Sequence, residues 1–285
     1  GETDVLLIKT DNNGNEQWYK TFGGENYDIG YSVDSTIDNG YIILGNTNSF
    51  SNNCREIWLI KTNDQGDEIW NKRFNQNGDC DDGITVKSVA DGGYVILSKS
   101  NNLLGSQTDS DIVLLKTDSD GNELWSQFYG SSFIDRPKYF EQTTDGGYII
   151  VGEKATNLNS PYLMNVFITK TNYYGEELWT KEFGGEYDDY GRFIQQTTDL
   201  GYIIAAHTES YGNLESNTWL LKIEPECYIS EEYCDCNGTI LPDQCGVCGG
   251  DGPNPGYNCD GEMIDCAEET YVIVMEEQGF VQVAE

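Results

Sequence analysis

Basic side chains are scarce in this chain. Sixteen Lys and Arg stand against 49 Asp and Glu over 285 residues, a formal charge of −33, so the field around the folded protein repels phosphate backbones and anionic lipid heads. Nucleic acid and bare membrane are therefore poor partners, and cations or cationic surfaces better ones. Long apolar runs are missing too: no stretch of about 18 apolar residues occurs, which excludes a helical span and direct membrane insertion of that kind. Histidine occurs once, as His207, with no Ser or Cys nucleophile beside it. The chain lacks G-x-S-x-G, H-E-x-x-H and a phosphate-binding Gly loop. Its scattered carboxylates show no spacing that selects a glycosidase pair. These absences point to a non-enzyme and leave a secreted hydrolase as the least favoured alternative.

What is present is repetition. The phrase DVLLIKTDNNGNEQW begins at Asp4 and returns as EIWLIKTNDQGDEIW from Glu56, DIVLLKTDSDGNELW from Asp111 and NVFITKTNYYGEELW from Asn165; its opening alone returns as NTWLLKIE from Asn217. Trp18, Trp70, Trp125 and Trp179 keep step with this period of 52 to 55 residues, as do Tyr41, Tyr94, Tyr148 and Tyr202. A period of that size, made of short apolar runs and Gly turns, indicates stacked or radial repeats. With 38% hydrophobic and 12% aromatic residues, such repeats can bury a core.

Within one copy, VLLIK is a continuous apolar run of strand length, which suits a strand covered on both faces. DNNGNE, with Gly14, makes a hairpin turn into EQWYKTF. A third strand runs roughly from Ile29 to Thr36, and Asp38-Asn39-Gly40 turns into YIILGNT; no helical period appears. Four antiparallel strands per unit describe an all-β propeller blade, with the apolar first strand expected nearest the axis. The expected units are 4–56, 56–111, 111–165 and 165–217, plus an extra first strand at 217–224, which together read as an incomplete propeller. The chain opens on Gly1 in what reads as the end of a loop, as expected of a processed protein or a piece of a longer multidomain chain with further blades upstream.

The pattern D-x-x-x-x-K-x-[DN]-x-x-G-x-x-x-W, continued by [FY]-G-G-x-x-x-D and T-x-D-G-G-Y-I, resembles the SBBP-type β-propeller repeat of secreted and surface proteins from bacteria and archaea. The resemblance spans Asp4 to Glu224 and departs from the pattern at RFNQNGDCDD and FYGSSFIDRP. It implies the fold and says little of function, since such repeats serve many roles.

The most regular acid lies thirteen residues before each marker Tyr, at Asp28, Asp81, Asp135 and Asp189. No cofactor is expected, although a ring of these carboxylates could hold Ca²⁺ or a cationic ligand; the plainer role is to accept backbone N–H bonds and fix a turn. The recurring Trp and Tyr suit packing between neighbouring blades. Aromatics out of register, Phe133, Tyr173, Tyr174 and Tyr187, are the ligand-contact candidates.

Nine cysteines are placed unevenly. Cys54 precedes the first strand of the second copy and Cys80 follows its second strand; those ends are neighbours in an antiparallel pair, so a Cys54–Cys80 disulfide is expected. At Pro225 the composition changes. Residues 225–266 carry Cys227, Cys234, Cys236, Cys245, Cys248, Cys259 and Cys266 with almost no apolar core, as a cross-linked module would; a zinc site at Cys234, Cys236, Cys245 and Cys248 is the alternative. DQCGVCGGDG resembles a motif of the cysteine-rich module in thrombospondin-repeat metalloproteases and secreted marine microbial proteins. Residues 267–285 read as a β-hairpin tail or the start of a further module. The expected protein is a secreted or cell-surface, non-enzymatic binding or structural module. Its partner would be a surface protein, met through propeller rim loops, or a glycan if it is a lectin.

Overall fold

The computed structural model describes residues 1–50, 55–75, 80–101, 110–131, 134–156, 163–212 and 216–224, together with the backbone of two strands at 271–276 and 279–284. Every regular element among them is a strand. A first hairpin joins β1 (Val5–Thr10) and β2 (Glu16–Phe22). Three four-stranded sheets follow. The first holds β3 (Asp28–Ser35), β4 (Tyr41–Thr47), β5 (Glu56–Thr62) and β6 (Glu68–Phe74). The second holds β7 (Cys80–Ser88), β8 (Tyr94–Asn101), β9 (Ser110–Thr117) and β10 (Glu123–Tyr129). The third holds β11 (Asp135–Gln142), β12 (Tyr148–Ala155), β13 (Met164–Thr171) and β14 (Glu177–Phe183). The last sheet orders β15 (Asp189–Gln196), β16 (Tyr202–Thr208), β17 (Asn217–Ile223), β18 (Tyr271–Glu276) and β19 (Gly279–Ala284). All neighbours pair antiparallel, as propeller blades do.

Two expectations about the blades are corrected. Each full sheet takes its first two strands from one sequence copy and its last two from the next, so blade and repeat are offset by half a unit. The apolar phrase is also not the strand at the axis. A run with no polar side needs partners on both edges and cover on both faces, and β5, β9 and β13 accordingly lie inside their sheets with nearly every residue buried. The edge strands that meet from sheet to sheet are instead β3 against β7, β7 against β11 and β11 against β15, which makes them the hub side. At the C-terminus the expected hairpin is β18–β19; β18 pairs with β17, from Trp219 opposite Val274 to Lys222 opposite Tyr271, and extends the last sheet.

Successive sheets lock through the recurring aromatics. Trp18 meets Tyr41 of the next sheet edge-on at 5.9 Å between ring centroids, and Trp70–Tyr94, Trp125–Tyr148 and Trp179–Tyr202 repeat the contact at 5.9 to 6.0 Å. The turn glycine of the following hairpin closes over three of these indoles. A Cβ on Gly66, Gly121 or Gly175 would stand 2.6 to 2.7 Å from the ring of Trp18, Trp70 or Trp125, and all three glycines have φ of 75 to 78°. Only glycine meets both demands at once.

Candidate functional site

The recurring acids are buried, and three of them, Asp28, Asp135 and Asp189, hold loops. Asp28, Asp81, Asp135 and Asp189 are all buried at the first residue or two of a hub strand. Asp28 Oδ2 accepts from Gly24 N at 2.7 Å and Ser49 Oγ at 2.6 Å, and Asp189 Oδ2 accepts from Gly185 N at 2.9 Å and Ser210 Oγ at 2.6 Å. Asp135 Oδ2 accepts from Ser131 N at 2.7 Å and Ser131 Oγ at 3.2 Å. Each fixes the loop that crosses between sheets. Burial pushes the Asp135 carboxyl up to about 6, against the opposing pull of its Ser131 bonds. The Gly turns are likewise self-contained: Asp11 Oδ1 accepts from Asn13 N and Asn15 N at 2.8 and 2.9 Å. Among the described residues no group of three or more His, Cys, Asp or Glu is placed to hold a metal ion.

Of the ligand-contact candidates, Tyr173, Tyr174 and Tyr187 are exposed. Tyr173 meets Tyr174 edge-on at 5.3 Å, but its hydroxyl donates to Asp91 Oδ2 at 2.8 Å, and Lys116 Nζ lies 5.4 Å from its ring centre. Tyr173 therefore ties the third full sheet to the second. Cys80 opens β7; Cys54, Phe133 and the seven tail cysteines lie outside the described residues, and the disulfide expectation with them.

A cluster outside the recurring positions lies on the hub strands and the strands beside them. Glu153 on β12 is almost fully buried and faces three cations: Arg192 Nη1 on β15 at 2.9 Å, Lys138 Nζ on β11 at 3.1 Å and Arg136 Nη1 on β11 at 3.8 Å. Arg192 Nη2 lies 3.4 Å from His207 Nδ1 and its guanidinium 5.3 Å from the ring of Tyr190, which stacks on His207 at 4.5 Å. One sheet earlier, Asp82 on β7 pairs with Arg55 at 3.3 Å and accepts from Asn46 Nδ2 at 3.2 Å. Lys99 on β8 joins the two groups. Burial, with Arg136, Arg55 and Lys138 nearby, holds its ammonium below the usual lysine range against the pull of Asp82. Burial and Arg192 lower His207 in the same way. Three of the four arginines in the chain thus gather with two lysines around two carboxylates.

The sequence signal for this cluster was a failure to recur. Asn46, Lys99, Glu153 and His207 occupy one station, five residues after the marker Tyr, and Tyr31, Ile84, Lys138 and Arg192 another, three after the recurring Asp. Both stations change from copy to copy, whereas the Trp, Tyr and Asp stations repeat. Side chains at these stations still meet between sheets, as Glu153 on β12 does with Arg192 on β15 and as Asn46 Oδ1 does in accepting from Gly83 N at 2.8 Å, but each pair of sheets uses a different pair of residues.

The chain matches no family model, and no curated protein matches it. Among solved structures it is similar to a protein of unknown function from Bacteroides caccae, at a TM-score of 0.48 and 10% identity over 98% of this chain and 93% of that one. It is also similar to Penicillium chrysogenum alpha-L-arabinanase complexed with arabinobiose (0.46, 12%, 91% and 77%) and to the Bombyx mori GH32 beta-fructofuranosidase (0.37, 10%, 91% and 51%). At such scores and identities no activity passes from those proteins to this chain.

Proposed function

We propose that the protein is a non-enzymatic binding module of the secreted or cell-surface kind, built on SBBP-type repeats, whose ligand face is the hub cluster and whose ligand carries an anionic group. The observation that supports this reading is the gathering of Arg55, Lys99, Arg136, Lys138 and Arg192 in a chain of charge −33. Each is set on a rigid strand or immediately beside one, and Arg136, Arg192 and Arg55 are each about half exposed. Guanidinium groups beside aromatic rings suit a carboxylated or sulfated sugar: the cation takes the charge and Tyr190, His207 or Phe193 the ring face. Phe193 is exposed and stacks at 4.3 Å on Tyr139. No bond-breaking step is assigned, because the acid raised toward neutrality, Asp135, is enclosed in its loop contacts.

The test is a binding screen over uronate-containing, sulfated and neutral glycans at low and physiological salt. Binding to the acidic glycans should weaken with salt, and Arg192→Ala should weaken it about tenfold, the scale of one lost charge-assisted contact. Selectivity for neutral sugars, or an Arg192→Ala variant that binds as well as the parent, would remove this reading. A protein partner met through the rim is the second reading, favoured by exposed Tyr187, Tyr27 and Phe50 in loops beside the starts of hub strands or the end of β4.

A further inference from the structure

We infer that the outer edge of β1 is a docking site for one particular kind of strand: a β-hairpin of this same repeat, ending Asp-x-Gly-Tyr-[Ile/Val]-Ile, that lies along β1 as β4 lies along β5. Four features of the first hairpin and of β3 beside it suit the same added strand.

The first is hydrogen bonding. β1 pairs with β2 alone among named strands, whereas β5, β9, β13 and β17 each have a partner on either edge. An apolar strand with an open ladder edge is a template for strand addition.

The second is charge. The lysine of each internal apolar strand reaches the Asp of the turn before its neighbour: Lys61–Asp38 at 2.8 Å, Lys116–Asp91 at 2.6 Å, Lys170–Asp145 at 2.8 Å and Lys222–Asp199 at 2.9 Å. Lys9 holds the same station without a carboxylate partner among the described residues, and lies 5.9 and 5.5 Å from the ring centres of Trp18 and Tyr41. The glycine of the motif follows from the same place, since a Cβ on Gly40 or Gly147 would strike the lysine Nζ and a threonine carbonyl.

The third is burial on β3. Val86, Phe140 and Ile194 sit at one hub-strand station and are 0% exposed, while Val33 at that station is 53% exposed. Val86 is covered by the preceding sheet, packing with Leu44 of β4 in one core. Val33 lacks the strand that would do this. The fourth is space: an open cleft of about 490 Å³ lies where that strand would run, lined by residues that include Val5, Leu7, Ile29, Tyr31, Val33 and Ile43.

The internal sheets dictate the register. Tyr41 opposes Thr62 and Ile42 opposes Lys61, so the incoming Tyr opposes Thr10, the next residue opposes Lys9, and the Asp meets the Lys9 ammonium. The four native examples define the chemistry as YIIL, YVIL, YIIV and YIIA.

The test fuses a hairpin with the sequence of residues 135–155 to Gly1 through a Gly/Ser linker of about ten residues, and follows amide exchange of Val5 to Lys9. The same hairpin is also added as a free peptide to the unmodified chain. The fused hairpin should slow exchange at alternate amides of β1 at least tenfold and raise the melting temperature. Changing its Asp to Asn, or Lys9→Met in the chain, should each remove about tenfold of that protection, and the free peptide should show the same order of preference more weakly. Unchanged β1 exchange in the fusion overturns the inference, as does protection indifferent to both the Asp and Lys9. Concentration-dependent protection of β1 without any hairpin would also overturn it, by giving the edge to a second copy of the chain.

Discussion

The first hairpin and the hairpin of β5 and β6 are nearly the same sequence in different surroundings. VLLIK and IWLIK each place apolar side chains on both faces, yet Leu6 and Ile8 are 56% and 50% exposed where Trp58 and Ile60 are 2% and 0%. The contrast shows that what a repeat buries is decided by its neighbours. One face of each apolar strand packs on the sheet that follows and the other on the sheet that precedes, so Val5 and Leu7 join the core with Ile43, Trp58 and Ile60, and the opposite face of β1 stays open.

Substitution at matched stations sharpens this comparison most. Ile60→Ala should cost roughly 3–4 kcal/mol in urea unfolding and Ile8→Ala less than about 1 kcal/mol; equal costs would show that β1 is covered in solution. The turn glycines come next. Gly121→Ala forces a Cβ into Trp70 at positive φ and should cost about 2–3 kcal/mol, against about 1 kcal/mol for Gly14→Ala, which has the same sign of φ and nothing within 4 Å.

A turn within the last sheet should respond in the opposite direction. Leu200 holds φ of 65° at the station where the second and third full sheets have Gly92 and Gly146, so Leu200→Gly should raise the melting temperature, by an amount equivalent to about 1 kcal/mol. A neutral or destabilising result would mean that the leucine side chain does more than fill the turn.

The smallest effect is pH-dependent and separates Lys61 from Lys9. Hydrogen bonds from Lys61 and Thr36 depress the Asp38 carboxyl from 3.8 to about 2. A carboxyl depressed in the folded state contributes stability that is present above pH 3.8 and lost as pH falls toward 2. With Asp38 half exposed, the contribution is a few tenths to about 1 kcal/mol. Lys61→Met should flatten that part of the acid unfolding curve, and Lys9→Met should leave it unchanged.

Much of the framework is legible along the chain. The Trp and Tyr that keep step, the Gly turns and the Asp thirteen residues before each Tyr all became contacts within or between sheets, because a residue fixed in every copy answers to a geometry that every copy shares. The hub cluster is hidden from the same reading. Lys99, Glu153, Lys138 and Arg192 look like ordinary surface charges along the chain, and only their departure from the repeat marks them.

Strands, turns and period follow from the chain alone, since alternation, apolar runs and left-handed turn positions are local properties. Which strands share a sheet, which strand stands at the hub and which charges meet there emerge only when the sheets pack. Those outcomes depend on pairing across the β4–β5 connection and on faces packing between sheets, and two hairpins of nearly equal sequence can satisfy them differently according to what lies beside each.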